Sequence, residues 1–179
     1  MPDGRRQIVQ IHHPGDIVGL PDVAFKVAST TLRTAEDIIL CPFPKKDLDI
    51  VFRESPKLTA LLFSLALREH ALLLDSLRMM GRMDARERLS YFFLDLLSKL
   101  RITNKSMRST IRLPLNQTEI GDYIGLTNVY VSRSLLAMED EGMIRRGENV
   151  LTVLQESEMA RLCDFQNRYA EIDTSWFPQ

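Results

Sequence analysis

Apolar and polar positions along this chain change their period twice. Up to about residue 53 the apolar residues fall in short runs. Arg5 to Ile11 alternates loosely around Ile8, Val9 and Ile11, and Ile17-Val18-Gly19-Leu20 follows a His13-Pro14-Gly15-Asp16 turn. Thr30 to Arg33 and Asp37 to Cys41 complete a set of candidate strands, and Pro42 and Pro44 end it because proline cannot donate to a ladder. So few strands would close poorly and leave open edges, so this segment reads as the second half of a larger sheet.

From Ser55-Pro56, an N-cap residue followed by a proline suited to the first helical turn, the period becomes helical. Leu58, Leu65, Leu72 and Met79 recur every seventh residue, and Phe63, Leu67, His70, Leu74 and Leu77 follow a 4-3-4-3 spacing on another face. Two apolar faces on one long helix predict cover on two sides, by the preceding segment and by a second copy of the chain. A central helix of a monomeric bundle is the other reading of the same pattern. Gly81 is expected to break the helix and Asp84 to cap the next, whose stripe is Leu89, Phe92, Phe93, Leu96, Leu97 and Leu100. A polar loop over 103–110 leads into a short strand, Ile111-Arg112-Leu113. A last helix is expected over 156–172, carrying Met159, Leu162, Phe165 and Tyr169.

Between these lies the stretch that carries chemistry, residues 113–154. Asn116 and Glu119 stand in a capping-box relation, and Ile120, Tyr123 and Ile124 give a short helix an inward face. Gly125 supplies the positive φ of a tight corner, Leu126 plugs it, and Thr127 caps a second helix with Val131, Leu135 and Met138 inward. Met143 to Arg146 and Asn149 to Val153 form a hairpin around Gly147-Glu148-Asn149. Helix, corner, helix and hairpin make a winged helix-turn-helix, whose second helix fits a DNA major groove. Asn128, Val129, Ser132 and Arg133 are then the base-reading set, with Arg133 matched to guanine, Asn128 to adenine and Val129 to a thymine methyl. Asn116, Thr118 and Thr127, at helix N-termini, and Arg145 and Arg146, on the wing, are the phosphate set.

Composition changes this picture little. The 179 residues are 45% hydrophobic and 26% charged with a net charge of −1, so any basic surface is local. Cys41 and Cys163 fit neither a disulfide framework nor a metal knuckle and suit a reducing cytoplasm. No signal-peptide core opens the chain, and charges interrupt residues 58–80, so a soluble protein without a membrane partner is expected. His12 and His13 flank a turn without visible further ligands, so no metal is assigned. His70 sits within an apolar series, where a pH-switch role and a simple hydrogen-bonded role both fit. The cysteines read as inert thiols. No nucleophile elbow, zincin, phosphate-loop or dinucleotide motif points to an enzyme.

Residues 55–154 resemble the cyclic-AMP-receptor/fumarate-nitrate-regulator (Crp/Fnr) family of bacterial transcription factors. The resemblance rests on Leu113-Pro114, Glu119-Ile120-Gly121, Gly125-Leu126-Thr127, Ser132-Arg133, Glu139 and Gly142-Met143-Ile144. Ser55-Pro56, Asp84-Ala85-Arg86-Glu87-Arg88-Leu89 and Pro14-Gly15-Asp16-Ile17-Val18-Gly19 match as well. It implies an α+β fold with three parts: a partial double-stranded β-roll (jelly-roll) sensor over 1–54, a dimerisation helix over 55–82, and a winged helix-turn-helix domain with a C-terminal helix over 83–179. It further implies a homodimer on palindromic double-stranded DNA, with RNA polymerase as an additional partner. About half of the family's roll has no counterpart here, as expected of a fragment, of a mis-started reading frame or of a reduced sensor.

Three departures bear on function. Val129 stands where many members place a cytosine-reading glutamate, so a different half-site is expected. The Gly-Glu and Arg-Ser elements that hold a cyclic nucleotide are missing: Leu20-Pro21-Asp22-Val23 follows Gly19, and Leu73 and Leu74 replace polar contacts from the long helix. Cyclic AMP is therefore not an expected ligand, since a buried phosphate needs a cationic partner. Two cysteines cannot supply the four thiolates of the family's iron–sulfur pattern. The rival to DNA binding is a sensor and dimerisation module that has lost it.

Overall fold

A computed structural model describes residues 6–170 and 172–179. Arg5, where the first expected strand begins, and Glu171, within the last expected helix, lie outside the described residues. The element order is α1 (Leu48–Glu54), α2 (Pro56–Arg82), α3 (Ala85–Thr103), β1 (Thr110–Arg112), α4 (Gln117–Ile124), α5 (Asn128–Asp140), β2 (Ile144–Gly147), β3 (Val150–Val153) and α6 (Glu156–Leu162).

The core belongs to the C-terminal part. Asp84 accepts from the backbone N–H groups of Arg86 and Glu87 at 2.9 Å, and Glu87 accepts from that of Asp84 at 2.7 Å. This capping box starts α3, which is buried along most of its length: Leu89, Tyr91, Phe92, Phe93, Leu94 and Leu97 have almost no exposure. Against it pack Ile120 and Ile124 of α4, Val131, Leu135 and Met138 of α5, and Met159 of α6. Burying a Leu or Phe side chain contributes about 1.5–3 kcal/mol, so α3 supplies more of the apolar driving force than any other element here. The sheet is antiparallel in the order β1-β3-β2, with Ile111 opposite Leu151 and Ile144 opposite Val153.

The strands expected before residue 42 do not form among the described residues. Residues 6–54 hold 3₁₀ turns at Pro21–Ala24 and Lys45–Asp47, and the unforeseen α1. The reason is the one the alternation foreshadowed: a strand is stable only with a neighbour to take its N–H and C=O groups. Residues 6–16 instead bond to the C-terminal part. The Ile8 N–H donates to the Asp122 carbonyl at 3.1 Å, and Lys99 reaches Asp16 at 2.7 Å and the Ile11 carbonyl at 3.0 Å. Val27, Ile38, Ile39, Leu40 and Phe43 stay exposed.

Two helix boundaries differ from expectation, and a third falls where expected without its capping bond. Ser55 is the N-cap residue of α2, yet its side chain makes no capping bond. α2 runs through Gly81 to Arg82, with the Met83 N–H closing on the Met79 carbonyl at 3.2 Å. α6 stops at Leu162 instead of continuing to 172. Asp164 takes φ +47° and the Phe165 N–H returns to the Ala160 carbonyl at 2.9 Å, a Schellman-type stop that sends the chain back along α2.

The two apolar series of α2 also separate. Met79, with 1% exposure, is part of the domain core and is closed to a partner; Leu65 and Leu72 are half-buried, and only Leu58 of that series is open. The exposed stripe is the second series, Phe63, Leu67, His70, Leu74 and Leu77, joined by Leu73. Heptad spacing alone does not say which stripe faces inward, because both repeat at the same interval.

Candidate nucleic-acid interface

The corner between α4 and α5 is held from three directions. Asn116 Oδ1 accepts from the Glu119 N–H and Glu119 Oε2 from the Asn116 N–H, both at 3.0 Å, closing the expected capping box. Gly125 takes φ +70°. At Gly121 a Cβ would lie 2.4 Å from the Leu126 carbonyl oxygen, so only glycine lets the corner fold back this tightly. Arg88 then ties the corner to the end of α2. Its guanidinium donates to the carbonyls of Met80 (2.7 Å), Met83 (2.8 Å), Ile124 (3.1 Å) and Gly125 (3.2 Å). These are unpaired C-terminal carbonyls of two helices, the groups a cation satisfies best.

With Val131, Leu135 and Met138 buried, α5 presents its opposite face to solvent. Asn128, Val129, Ser132 and Arg133 come together there, lining one open hollow with Gln117 and Leu136. The structure thus brings the whole expected base-reading set to one hollow, which is also lined by two residues that sequence reasoning did not single out. Gln117, at the first position of α4, could have been found from its place beside Asn116. Leu136 lies one turn beyond Ser132 and Arg133, a position identifiable only once the buried face of α5 is known. Val129 is 65% exposed, an apolar side chain without cover.

Of the phosphate set, Asn116, Thr118 and Thr127 are exposed at the N-termini of α4 and α5. Thr127 holds the N-cap position with extended backbone, but its side chain makes no capping bond, which leaves the hydroxyl available. The two wing arginines part company. Arg145 is exposed. Arg146 is engaged: Nε lies 2.7 Å and Nη2 2.6 Å from Glu139 Oε2, while its backbone N–H donates to Oε1 at 2.9 Å. Those bonds hold the Glu139 carboxyl below its ordinary range, and they clamp β2 to α5. Arg146 is thus a fastener of the wing in this arrangement, where the sequence had suggested a phosphate ligand.

Elsewhere the titratable groups are structural. Burial raises the Asp95 carboxyl to about 6, against the nearby Lys99 and a hydrogen bond with Tyr169. Burial, aided by Lys99, lowers His13 to about 4. Cys163 is buried and its thiol is pushed up to about 11, again by burial. Among the described residues no group of His, Cys, Asp or Glu is placed to hold a metal, and no helix is long and apolar enough to cross a membrane.

A helix-turn-helix with an exposed polar reading face, backed by a three-stranded wing sheet, defines a winged-helix protein of the DNA-reading class. Residues 87–162 match the Crp-like helix-turn-helix domain. The chain is similar to the transcriptional activator protein FnrL of Cereibacter sphaeroides, 34% identical over 80% of this chain and 58% of that protein. It is also similar to the nitrogen fixation regulation protein FixK of Rhizobium meliloti, 30% identical over 90% of this chain and 71% of that one. It belongs to the Crp/Fnr family. Against several of these relatives it spans about three fifths of their length, 58% for FnrL and 60% for the FixK of Bradyrhizobium diazoefficiens. The fold is shared with FixK2 of Bradyrhizobium japonicum, with a TM-score of 0.58 and 24% identity over 66% of this chain and 58% of that one. A CooA variant of Carboxydothermus hydrogenoformans has a TM-score of 0.54 and 22% identity over 65% and 53%.

Proposed function

We propose that this chain is a site-specific transcription regulator that reads a palindromic operator as a homodimer, without catalytic activity, in the bacterial cytoplasm. The observation that carries this is the hollow on α5. Asn128, Val129, Ser132 and Arg133 converge on one exposed face while the back of the same helix is locked into the core. A rigid helix offering a bidentate donor, an amide, a hydroxyl and a methyl-bearing side chain has the complement needed to read base edges in the major groove. Asn116, Thr118, Thr127 and Arg145 supply the phosphate contacts that fix its register. The exposed stripe of α2 pairs two protomers, and Arg88 carries the orientation of α2 to the reading head. Residues 6–54 belong to the sensor part, and RNA polymerase is the further partner. Val129 sets the half-site apart from those read through a glutamate at that position.

The test is selection of bound sequences from random duplex DNA, with the wild type and Arg133→Ala compared at two salt concentrations. The expected result is an enriched palindrome, and loss of preference at one base pair per half-site in the variant, worth about 1–3 kcal/mol. A folded wild type that enriches nothing at either salt concentration would establish the reading as a dimerisation module that has lost DNA binding.

A further inference from the structure

Beyond α6 the chain turns back and runs antiparallel along α2. Arg78 Nη1 bonds Asp164 Oδ2 at 2.8 Å and Nη2 the Asp164 carbonyl at 3.0 Å. The Phe165 ring stands edge-on to Tyr91 at 5.5 Å. Arg168 grips Asp75 with two bonds, Nε to Oδ2 at 2.8 Å and Nη2 to Oδ1 at 3.2 Å, and Asp75 itself is buried. The Arg68 guanidinium lies 5.3 Å from the centre of the Tyr169 ring. Last, Trp176 meets Phe63 edge-on at 6.5 Å, and Phe177 tucks in behind it at 4.8 Å, buried. From Arg78 to Phe63 this strap follows about 22 Å of helix. A two-pronged Arg–carboxylate pair has one preferred geometry, so the strap is positioned, not merely adjacent.

Its end point matters. Phe63 opens the exposed stripe of α2, and both it and Trp176 remain more than half exposed, at 57% and 52%. Tryptophan is a residue type concentrated at the centres of protein interfaces. The charged residues that fall between Phe63, Leu67, His70, Leu74 and Leu77 in sequence, Arg68, Glu69 and Asp75, are half-buried or buried on other faces of the helix. The stripe's 4-3-4-3 spacing is that of a seam between like helices, so the occupant it fits is a second copy of itself. The open side chains of the stripe and Trp176 amount to roughly 600 Å² per protomer, against about 800 Å² per partner in a stable interface. Trp176 provides about a fifth of that area, so the seam falls clearly short without it.

We infer that the C-terminal strap is part of the self-association surface: Trp176 of each protomer, held on Phe63, packs with the α2 stripe against a second copy. This rests on the dimer reading above. Trp176 is the chain's only tryptophan, so its emission reports on this surface alone. The experiment follows sedimentation and tryptophan emission of the full chain across protein concentration, together with Trp176→Ala and Arg168→Ala. A half-site duplex is titrated in parallel as the control for the folded reading head. The expected result is a blue shift of emission on dimerisation in the wild type and a dimer dissociation constant raised about tenfold by Trp176→Ala. Arg168→Ala, which releases the strap but keeps the probe, weakens the dimer similarly and leaves emission red-shifted, with half-site affinity unchanged in both variants. Dimers whose stability is unaltered by Trp176→Ala, or whose emission equals that of the monomer, overturn the strap's role and leave the α2 seam standing. A wild type that stays monomeric overturns both.

Discussion

Substituting alanine for a glycine inside a helix is ordinarily favourable by about 1 kcal/mol, since it restricts the unfolded chain. Two glycines of this protein separate that rule from its exception. At Gly81, within α2, an added Cβ meets nothing within 4 Å, and Gly81→Ala is expected to stabilise by up to about 1 kcal/mol. At Gly121, within α4, the same methyl group would sit 2.4 Å from the Leu126 carbonyl oxygen and 3.5 Å from Val131 Cγ2. Carbon–oxygen contacts are comfortable at about 3.3 Å or more, so the corner must open by about 1 Å. The obstacle is backbone and cannot rotate aside. The displacement also stretches the 3.0 Å bond from the Leu126 N–H to the Gly121 carbonyl. Overpacking of this kind costs about 1–3 kcal/mol, which exceeds the propensity gain, so the sign reverses. Urea and thermal unfolding of both variants beside the wild type measure this. Gly121→Ala is expected to lower stability by about 1–2 kcal/mol, a few degrees in Tm, and to weaken operator binding as α5 moves on α4. A Gly121→Ala protein as stable as Gly81→Ala would refute the reasoning about the corner.

Other outcomes follow from the same geometry. Arg145→Ala is expected to leave stability unchanged and to lower the salt dependence of DNA binding by about one phosphate, read from the slope of log K against log salt. Arg146→Ala should show the reverse emphasis: it frees Glu139 from the wing and lowers unfolding stability by about 1 kcal/mol or less, as seen in urea titration. Arg88→Ala strips four helix-end carbonyls of their donor and should cost about 2–3 kcal/mol in thermal unfolding, while Arg88→Lys recovers only part of it. For Asp95 the folded state holds its proton more tightly than the unfolded chain does. Its destabilising contribution is therefore absent below the ordinary value of 3.8 and complete above about 6. Asp95→Asn should accordingly be the more stable protein by about 1–3 kcal/mol at neutral pH, with the gap closing as pH falls from about 6 to about 4. A constant gap across that range in pH-dependent unfolding would show that the Asp95 charge is not what is penalised. His13 has the opposite slope, because its lowered value costs stability as pH falls from 6.5 towards about 4. The wild type's own pH profile is therefore flatter than that of the Asp95 variant's difference curve.

How far the sequence reached depends on how local each determinant is. The capping boxes at Asp84 and Asn116, the positive φ at Gly125, the inward set of α5 and the hairpin after Gly142 are fixed by residues within a few positions of one another. All are legible from spacing, and with them the shared exposed face of Asn128, Val129, Ser132 and Arg133. What tertiary structure alone decided involves partners distant in sequence. Two stripes of α2 have the same repeat, and only packing against α3 buries Met79 and leaves Phe63 and Leu74 outside. Nothing in its own spacing distinguishes Arg146 from Arg145; the carboxylate of Glu139, brought across by the turn at Gly142, does. The run after Leu162 keeps a helical pattern of apolar residues, yet Asp75, Arg78 and Phe63 offer it stronger partners than its own next turn. It leaves the helix to take them. Periodicity specifies which faces are apolar. Which of them a neighbour covers depends on long-range contacts, and those exist only once the chain has folded.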